Sequence, residues 1–259
     1  MRIYPFFSSS SGNCTYVGNS DEGILIDCGV SAARVKAALE SRGIALQAVK
    51  GLFITHEHTD HIKGLKVFTK STGIPVYSRG ATLDRLLDAG LLCSASHSVE
   101  PGVPVKAGSF CVTAVKTFHD AVSPCCYRID TDKVSCAVCT DLGTVTEDVL
   151  DALSGVKAAL IESNYDMGML SRGPYPRELK ERIASYDGHL ENSQCAELAV
   201  KLVKAGAERL ILGHLSQHNN DPVLAERETE TALMRAGFER DVHYMLMAAL
   251  PQESRYFSF

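Results

Sequence analysis

The sequence predicts an α/β chain, with two sheets carrying helices on their outer faces. Three observations point there. Short apolar runs bounded by turn residues recur along all 259 residues. Helical stretches interleave with them, few at first and regularly later. Several of the runs end abruptly in a carboxylate or an imidazole. No linker, repeat or low-complexity tract interrupts the pattern, so residues 1–259 read as one domain, near the limit of about 250–300 residues for a single core.

The elements follow in order. Ile3 to Phe7 and Cys14 to Gly18 read as strands around the polar turn Ser8-Ser9-Ser10-Ser11-Gly12-Asn13. Gly23 to Ile26 is a buried strand ending at Asp27. Ser31 caps a helix that Gly43 stops. Gly51 to Thr55 is another buried strand, and it delivers the chain into His56. A helix is expected from His61 to Thr72, a strand over Ile74–Tyr77 and a short helix over Leu83–Leu87. Strands are expected at Phe110–Phe118, Cys126–Asp130, Val134–Cys139 and Ala158–Ile161, with a helix over Glu147–Leu153. Pro176 opens a helix to Ala184, as proline suits a first turn. Ser193 is expected to cap a helix to Ala205. A strand over Glu208–Gly213, a helix from Asp221-Pro222 to Ala236 and a strand near Val242–Met247 complete the reading.

Composition narrows the function. Hydrophobic content of 45% and charged content of 22% are ordinary for a globular chain and exclude wholesale disorder. No apolar run approaches the roughly 18 residues that span a bilayer. The segment from Met1 to Phe7 breaks into serines too early for a signal peptide. Nine scattered cysteines suit free thiols in a reducing cytoplasm better than a disulfide framework. Cys136 and Cys139 form a CxxC, but on a strand they point to opposite faces, against a redox or zinc-ribbon role. A formal charge of −5 argues against coating nucleic acid by bulk electrostatics but leaves a local basic track open.

The chemistry concentrates in His56-Glu57-His58-Thr59-Asp60-His61. Imidazole and carboxylate donors together suit zinc, iron or manganese. The HxH spacing is too short for one helix face, so these residues are expected on a loop after a strand. Two adjacent ions explain four donors in six residues better than one tetrahedron does.

This constellation, followed by Gly64, resembles the HxHxDH signature of the metallo-β-lactamase superfamily. Its further motifs match in order at Asp27, His119 in Thr117-Phe118-His119-Asp120, Asp141 in Cys139-Thr140-Asp141-Leu142-Gly143, and His214 in Leu212-Gly213-His214-Leu215-Ser216. The resemblance implies a four-layer αββα sandwich. It also implies two divalent transition-metal ions, one on His56, His58 and His119 and the other on Asp60, His61 and His214. Asp141 would bridge them, and Asp27 would orient a ligand histidine. The implied reaction is hydrolysis by a hydroxide shared between the metals.

Five stretches together resemble the bacterial WalJ/YycJ-type group, which is associated with exonuclease activity on DNA. They are Ser8 to Asn13, Ile161-Glu162-Ser163-Asn164-Tyr165-Asp166, Arg172-Gly173-Pro174-Tyr175-Pro176, Gly188-His189-Leu190-Glu191-Asn192-Ser193 and Gly213-His214-Leu215-Ser216-Gln217-His218-Asn219-Asn220. Glu162 and His189 also match the pair that, in tRNA 3′-processing endonucleases of the superfamily, passes a proton to the leaving oxygen. The competing role for His189 is to cap the helix near Ser193. Asp60 is counted with Glu162 and His189 as catalytic, and Ser11, Asn13 and Asn164 as substrate-binding. The Ser11-Gly12-Asn13 turn is expected either to offer backbone N–H groups to a terminal phosphate or to be a tight hairpin. Two basic clusters compete as a phosphate track: Lys63, Lys66 and Lys70 after the metal motif, and Arg172, Arg177, Lys180 and Arg182 before His189. The resulting expectation is a cytoplasmic phosphodiesterase acting on nucleic acid, chiefly DNA, without a membrane partner. A small-molecule ester or thioester hydrolase is the alternative. Nothing in the sequence sets the oligomeric state.

Overall fold

A computed structural model describes residues 1–252 and 256–259. Its strands are apolar on both faces because both faces are covered. Along Ser135–Cys139, the side chains of Cys136 and Val138 enter one core, while those of Ala137 and Cys139 enter another. Ala158–Glu162 repeats the pattern: Ala158 and Leu160 face one way, Ala159 and Ile161 the other. The two cysteines of the CxxC therefore lie on opposite faces of their strand, as expected.

The first sheet runs, in spatial order, through β1 (Arg2–Phe7), β2 (Cys14–Gly18), β3 (Gly23–Ile26), β4 (Val49–Phe53), β5 (Val76–Ser78) and β6 (Ser96–Ser98). The second runs through β7 (Pro104–Ala107), β8 (Phe110–Lys116), β9 (Cys125–Asp130), β10 (Ser135–Cys139), β11 (Ala158–Glu162), β12 (Arg209–Gly213) and β13 (Met245–Ala248). A last short strand, β14 (Phe257–Ser258), lies against β1. β3 to β6 are mutually parallel, and so are β10 to β13.

Between the sheets lies a core of Ile24, Ile26, Phe53, Tyr127, Leu160 and Ile211, among others. Outside the first sheet pack α1 (Ala32–Glu40), α3 (Leu65–Thr72) and α4 (Gly80–Asp88). Outside the second pack α5 (Glu147–Leu153), α8 (Asn192–Lys204) and α9 (Pro222–Arg235). The layers are helix, sheet, sheet, helix, which is the expected sandwich. No helix among the described residues is long and apolar enough to cross a membrane.

The structure revises several boundaries. The helix expected from His61 begins at Thr59 and is split at Gly64 into α2 (Thr59–Ile62) and α3. Asp60 and His61 thus sit on a single helical turn, not on the loop that carries His56 and His58. Gly64 packs on the backbone that follows β3: a Cβ there would lie 2.1 Å from the Val30 carbonyl oxygen. The helix expected to be capped by Ser193 starts two residues earlier, capped by Glu191 in a reciprocal box with Gln194. A short α6 (Met167–Arg172) precedes α7 (Arg177–Ile183); its sequence carries no helical periodicity strong enough to announce it. β6, β7 and β14 were also unmarked by the sequence.

Phe53 joins the layers. It is fully buried, stacks on Tyr77 at 4.6 Å and meets Tyr127 edge-on at 5.4 Å. Phe53→Ala should lower unfolding free energy by about 3–5 kcal/mol, read as a shifted urea midpoint at unchanged slope. A loss below about 1 kcal/mol would contradict this packing role.

Candidate metal centre

The functional side chains lie where parallel strands end. Asp27 follows β3, Thr55 and His56 follow β4, Asp141 follows β10, Glu162 ends β11 and His214 follows β12. Asp27, Asp141 and His214 take left-handed backbone, with φ of 62°, 58° and 55°. For non-glycine residues this costs on the order of 1–3 kcal/mol and clusters at functional sites. The consequence is a sharp turn at the end of each of these three strands.

Five imidazoles then meet, and each has one nitrogen fixed by an oxygen. His61 Nδ1 lies 2.7 Å from Asp27 Oδ2, and His214 Nδ1 lies 2.9 Å from Glu162 Oε1. His119 Nδ1 is 2.9 Å from the Gly188 carbonyl, His58 Nε2 is 3.2 Å from that of Asp120, and His56 Nδ1 is 3.0 Å from the Thr55 hydroxyl. The remaining nitrogens face one another. His119 Nε2 and His58 Nδ1 are 3.2 Å apart, and His61 Nε2 and His214 Nε2 lie 3.4 and 3.5 Å from Asp60 Oδ2. Among the described residues, His56 Nε2 is buried without a hydrogen-bond partner, and Asp141 Oδ2 makes no hydrogen bond either, although His61 Nε2 is 3.2 Å away.

Converging ring nitrogens, each ring tied outward through its other nitrogen, are the donor arrangement of a metal site. Within each of the trios His56/His58/His119, Asp60/His61/His214 and His56/His61/Asp141, the donor atoms lie within 4.8 Å of one another. The residues present fit a pair of ions. A fourth group, Asp141, Glu162, His189 and His214, meets the same criterion.

The electrostatics sort these groups. Burial pushes the His56 imidazolium pKa well down, helped by His61, so this ring is neutral and ready to ligate. Burial also disfavours protonated His61, but Asp141, Asp27 and Asp60 outweigh it and hold its pKa well above the usual range. For His214 the same opposition, with Asp141, Asp60 and Glu162 prevailing over burial, leaves the pKa at about 10. Glu162 is fully buried, yet His189 and His214 overcome that burial and hold its pKa down at about 2.

Glu162 and His189 come together at 2.7 Å, Oε1 to Nδ1. Helix capping is left to Glu191 and Gln194. The turn expected to offer N–H groups to a phosphate spends them internally. Ser11 N–H donates to Ser9 Oγ, Gly12 N–H to the Ser9 carbonyl and Asn13 N–H to the Asp60 carbonyl. What remains outward is the exposed Ser11 side chain. Asn13 is buried, with its amide on Asp60 Oδ2 at 3.2 Å and against His61 Nε2 at 3.0 Å. Asn164 is buried and donates to the His214 carbonyl at 2.8 Å. Both asparagine amides are already hydrogen-bonded to residues of the cluster, Asp60 and His61 for Asn13 and His214 for Asn164.

Sequence reasoning missed two supports. Thr55 donates its N–H to Asp27 Oδ1 at 2.9 Å, and its hydroxyl reaches Asp27 Oδ2 and His56 Nδ1. Its place directly before His56 was the available signal. Ser8 Oγ accepts the His214 N–H at 2.8 Å across 206 residues of sequence, which no local pattern announces.

The raised pKa values of His61 and His214 fix a sign. At pH 7 the metal-free rings carry protons, and ligation must displace them. Metal loading should therefore release roughly two protons, and affinity should strengthen as pH rises toward 10. Calorimetry in buffers of different ionisation heat measures this; a buffer-independent heat would contradict it.

With the geometry described, comparison with known proteins gives a concordant picture. The family model of the metallo-β-lactamase superfamily matches residues 9–214. Exodeoxyribonuclease YycJ of Bacillus anthracis is 31% identical over 233 residues, covering 89% of this chain and 88% of that protein. Exodeoxyribonuclease WalJ of Streptococcus pneumoniae serotype 2 is 31% identical over 248 residues, covering 94% and 92%. Among solved structures, the metallo-β-lactamase fold protein YhfI from Bacillus subtilis superposes with a TM-score of 0.74 at 17% identity, covering 99% of this chain and 98% of that one. The chain belongs to the metallo-β-lactamase superfamily.

Proposed function

We propose that this superfamily hydrolase is a dinuclear metal-dependent phosphodiesterase that degrades DNA from an end. The observation that carries the reading is the buried Glu162 carboxylate with His189 on its Oε1 at 2.7 Å. A small-ester hydrolase whose leaving group departs unaided has no need of that pair. The relatives named exodeoxyribonucleases support the choice of DNA.

His56, His58 and His119 would hold one ion, Asp60, His61 and His214 the other, with Asp141 between them. Zinc, manganese and iron all suit these donors. When bound, two such ions supply a water-derived nucleophile at neutral pH and offset the charge of the phosphate. The chain supplies the rest. Asp27 and Glu162 hold the tautomers of His61 and His214. Glu162 also accepts from His189 Nδ1, which leaves His189 Nε2 as the nitrogen presented to substrate, the one that carries the transferable proton when the ring is an imidazolium. The His189 ring centroid is 4.9 Å from that of His119 and 5.3 Å from that of His214, so the ring stands between the two ligand groups. It retains some exposure, unlike most of the ligand rings. From there it donates a proton to the departing sugar oxygen.

Two outcomes are expected. With end-labelled single- and double-stranded DNA and RNA and with metals varied, wild type should shorten DNA progressively, and Asp60→Ala should not. Equal activity in both, or hydrolysis of a thioester with every nucleic acid left intact, would overturn the reading. His189→Ala should lower the DNA rate about 10²–10⁴-fold while two metal equivalents stay bound. Loss of an ion in that variant would make His189 a ligand in the Asp141/Glu162/His214 group instead.

A further inference from the structure

The structure separates two basic clusters that the sequence leaves equivalent. On the α6–α7 side three of the four cations are already engaged, and only Arg172 is exposed without a hydrogen bond or ion pair among the described residues. Arg177 Nε pairs with Glu181 at 2.6 Å, Arg182 pairs with Asp120, and Lys180 Nζ donates to the Ser171 carbonyl at 2.8 Å. On the other side, Lys63, Lys66 and Lys70 are exposed and have no hydrogen bond or ion pair among the described residues. α3 buries Leu65, Phe68 and Thr69 against the core, which turns Lys66 and Lys70 outward, and Lys63 is exposed just before it at the end of α2.

This face extends onto α1. Lys36 Nζ reaches Ser71 Oγ at 2.8 Å, tying α1 to the end of α3 without using a carboxylate. Arg34 is exposed and lies over the Phe7 ring at 4.4 Å, beside the Ser8–Asn13 turn. Glu40, at the far end of α1, is the one carboxylate on either helix. In a chain of formal charge −5, two adjoining helices are therefore nearly free of acid. The patch also starts at the site: Lys63 is two residues past His61, and the turn beside Arg34 donates to the Asp60 carbonyl. Lys66 and Lys70 stand one turn apart on α3, about 6 Å along its axis.

We propose that the α1–α3 face is the track along which the backbone of a single-stranded polynucleotide leaves the metal centre, and that the α6–α7 cations are not. This rests on the nucleic-acid reading above. The contacts go to phosphate, so the face positions the strand without reading sequence.

The test is the salt dependence of binding. A phosphorothioate single-stranded oligonucleotide is titrated against the metal-loaded enzyme from 50 to 300 mM potassium chloride. The variants are Lys63→Gln/Lys66→Gln/Lys70→Gln and, for the other cluster, Arg172→Gln/Arg177→Gln/Lys180→Gln. Each lost phosphate contact lowers the slope of log affinity against log salt by about 0.7. The lysine variant should lose about 2 in slope and at least tenfold in affinity near 100 mM. Its turnover of bis(p-nitrophenyl) phosphate, too small to reach α3, should match wild type. The α6–α7 variant should keep the wild-type slope. An unchanged slope in the lysine variant, or a loss confined to the α6–α7 variant, overturns the proposal while leaving DNA cleavage intact. Wild-type enzyme that hydrolyses the small diester but binds no oligonucleotide overturns the nucleic-acid reading itself, and an acidic protein or a membrane would then be the partner of this face.

Discussion

One buried carboxylate organises the centre. Glu162 has no solvent exposure and accepts four hydrogen-bond donors: the Leu142 and Leu190 N–H groups on Oε2, and His189 Nδ1 and His214 Nδ1 on Oε1. A buried charge is tolerated only when it is fully partnered, so these four groups come as a set. They come from the turn after β10, the segment before α8 and the end of β12. A single side chain thus orients a proposed metal ligand and the proposed proton donor together. Asp27 does the equivalent work on the first sheet, through Thr55 and His61.

The backbone bears the strain that this convergence requires. Three strand ends turn through left-handed conformations at non-glycine residues, and two adjoining loops approach within contact distance. A Cβ on Gly29 would lie 1.6 Å from the Asp60 carbonyl oxygen, so only glycine lets the Asn13 turn and the Asp60 turn close on one another. The double-layered core beneath holds those ends in place. Phe53 and Tyr127 sit between the sheets just beneath the end of β4, where Tyr127 Oη donates to the Ile54 carbonyl at 2.7 Å.

Much of this was legible in the sequence. The residues that meet in the cluster could be read because Asp27, His56, Asp141 and His214 each follow a short apolar run, and strand periodicity is the strongest local signal a buried sheet leaves. Glu162 and His189 were legible as a pair only through resemblance, since 27 residues separate them. The second partner of Glu162, His214, lies 52 residues away, and Ser8 reaches His214 across 206. Pairings of that range leave no periodicity. Asn13 and Asn164 illustrate the opposite case. A polar residue beside a ligand looks like a substrate contact until its hydrogen bonds are known, and here they are used to hold Asp60 and His214. The split of the helix at Gly64 was missed because the apolar spacing of Leu65 and Phe68 continues smoothly from Ile62; the close approach to Val30 breaks it.

The central claim is that His189, held by Glu162, protonates a leaving oxygen. Its most direct test is leaving-group dependence. In an oligonucleotide whose departing oxygen is replaced by sulfur, the thiolate leaves without a proton. The account predicts that His189→Ala cleaves the sulfur-bridged substrate at close to the wild-type rate while remaining about 10²–10⁴-fold impaired on the ordinary diester. An equal impairment on both substrates would contradict it, and would place the role of His189 in positioning or metal binding instead.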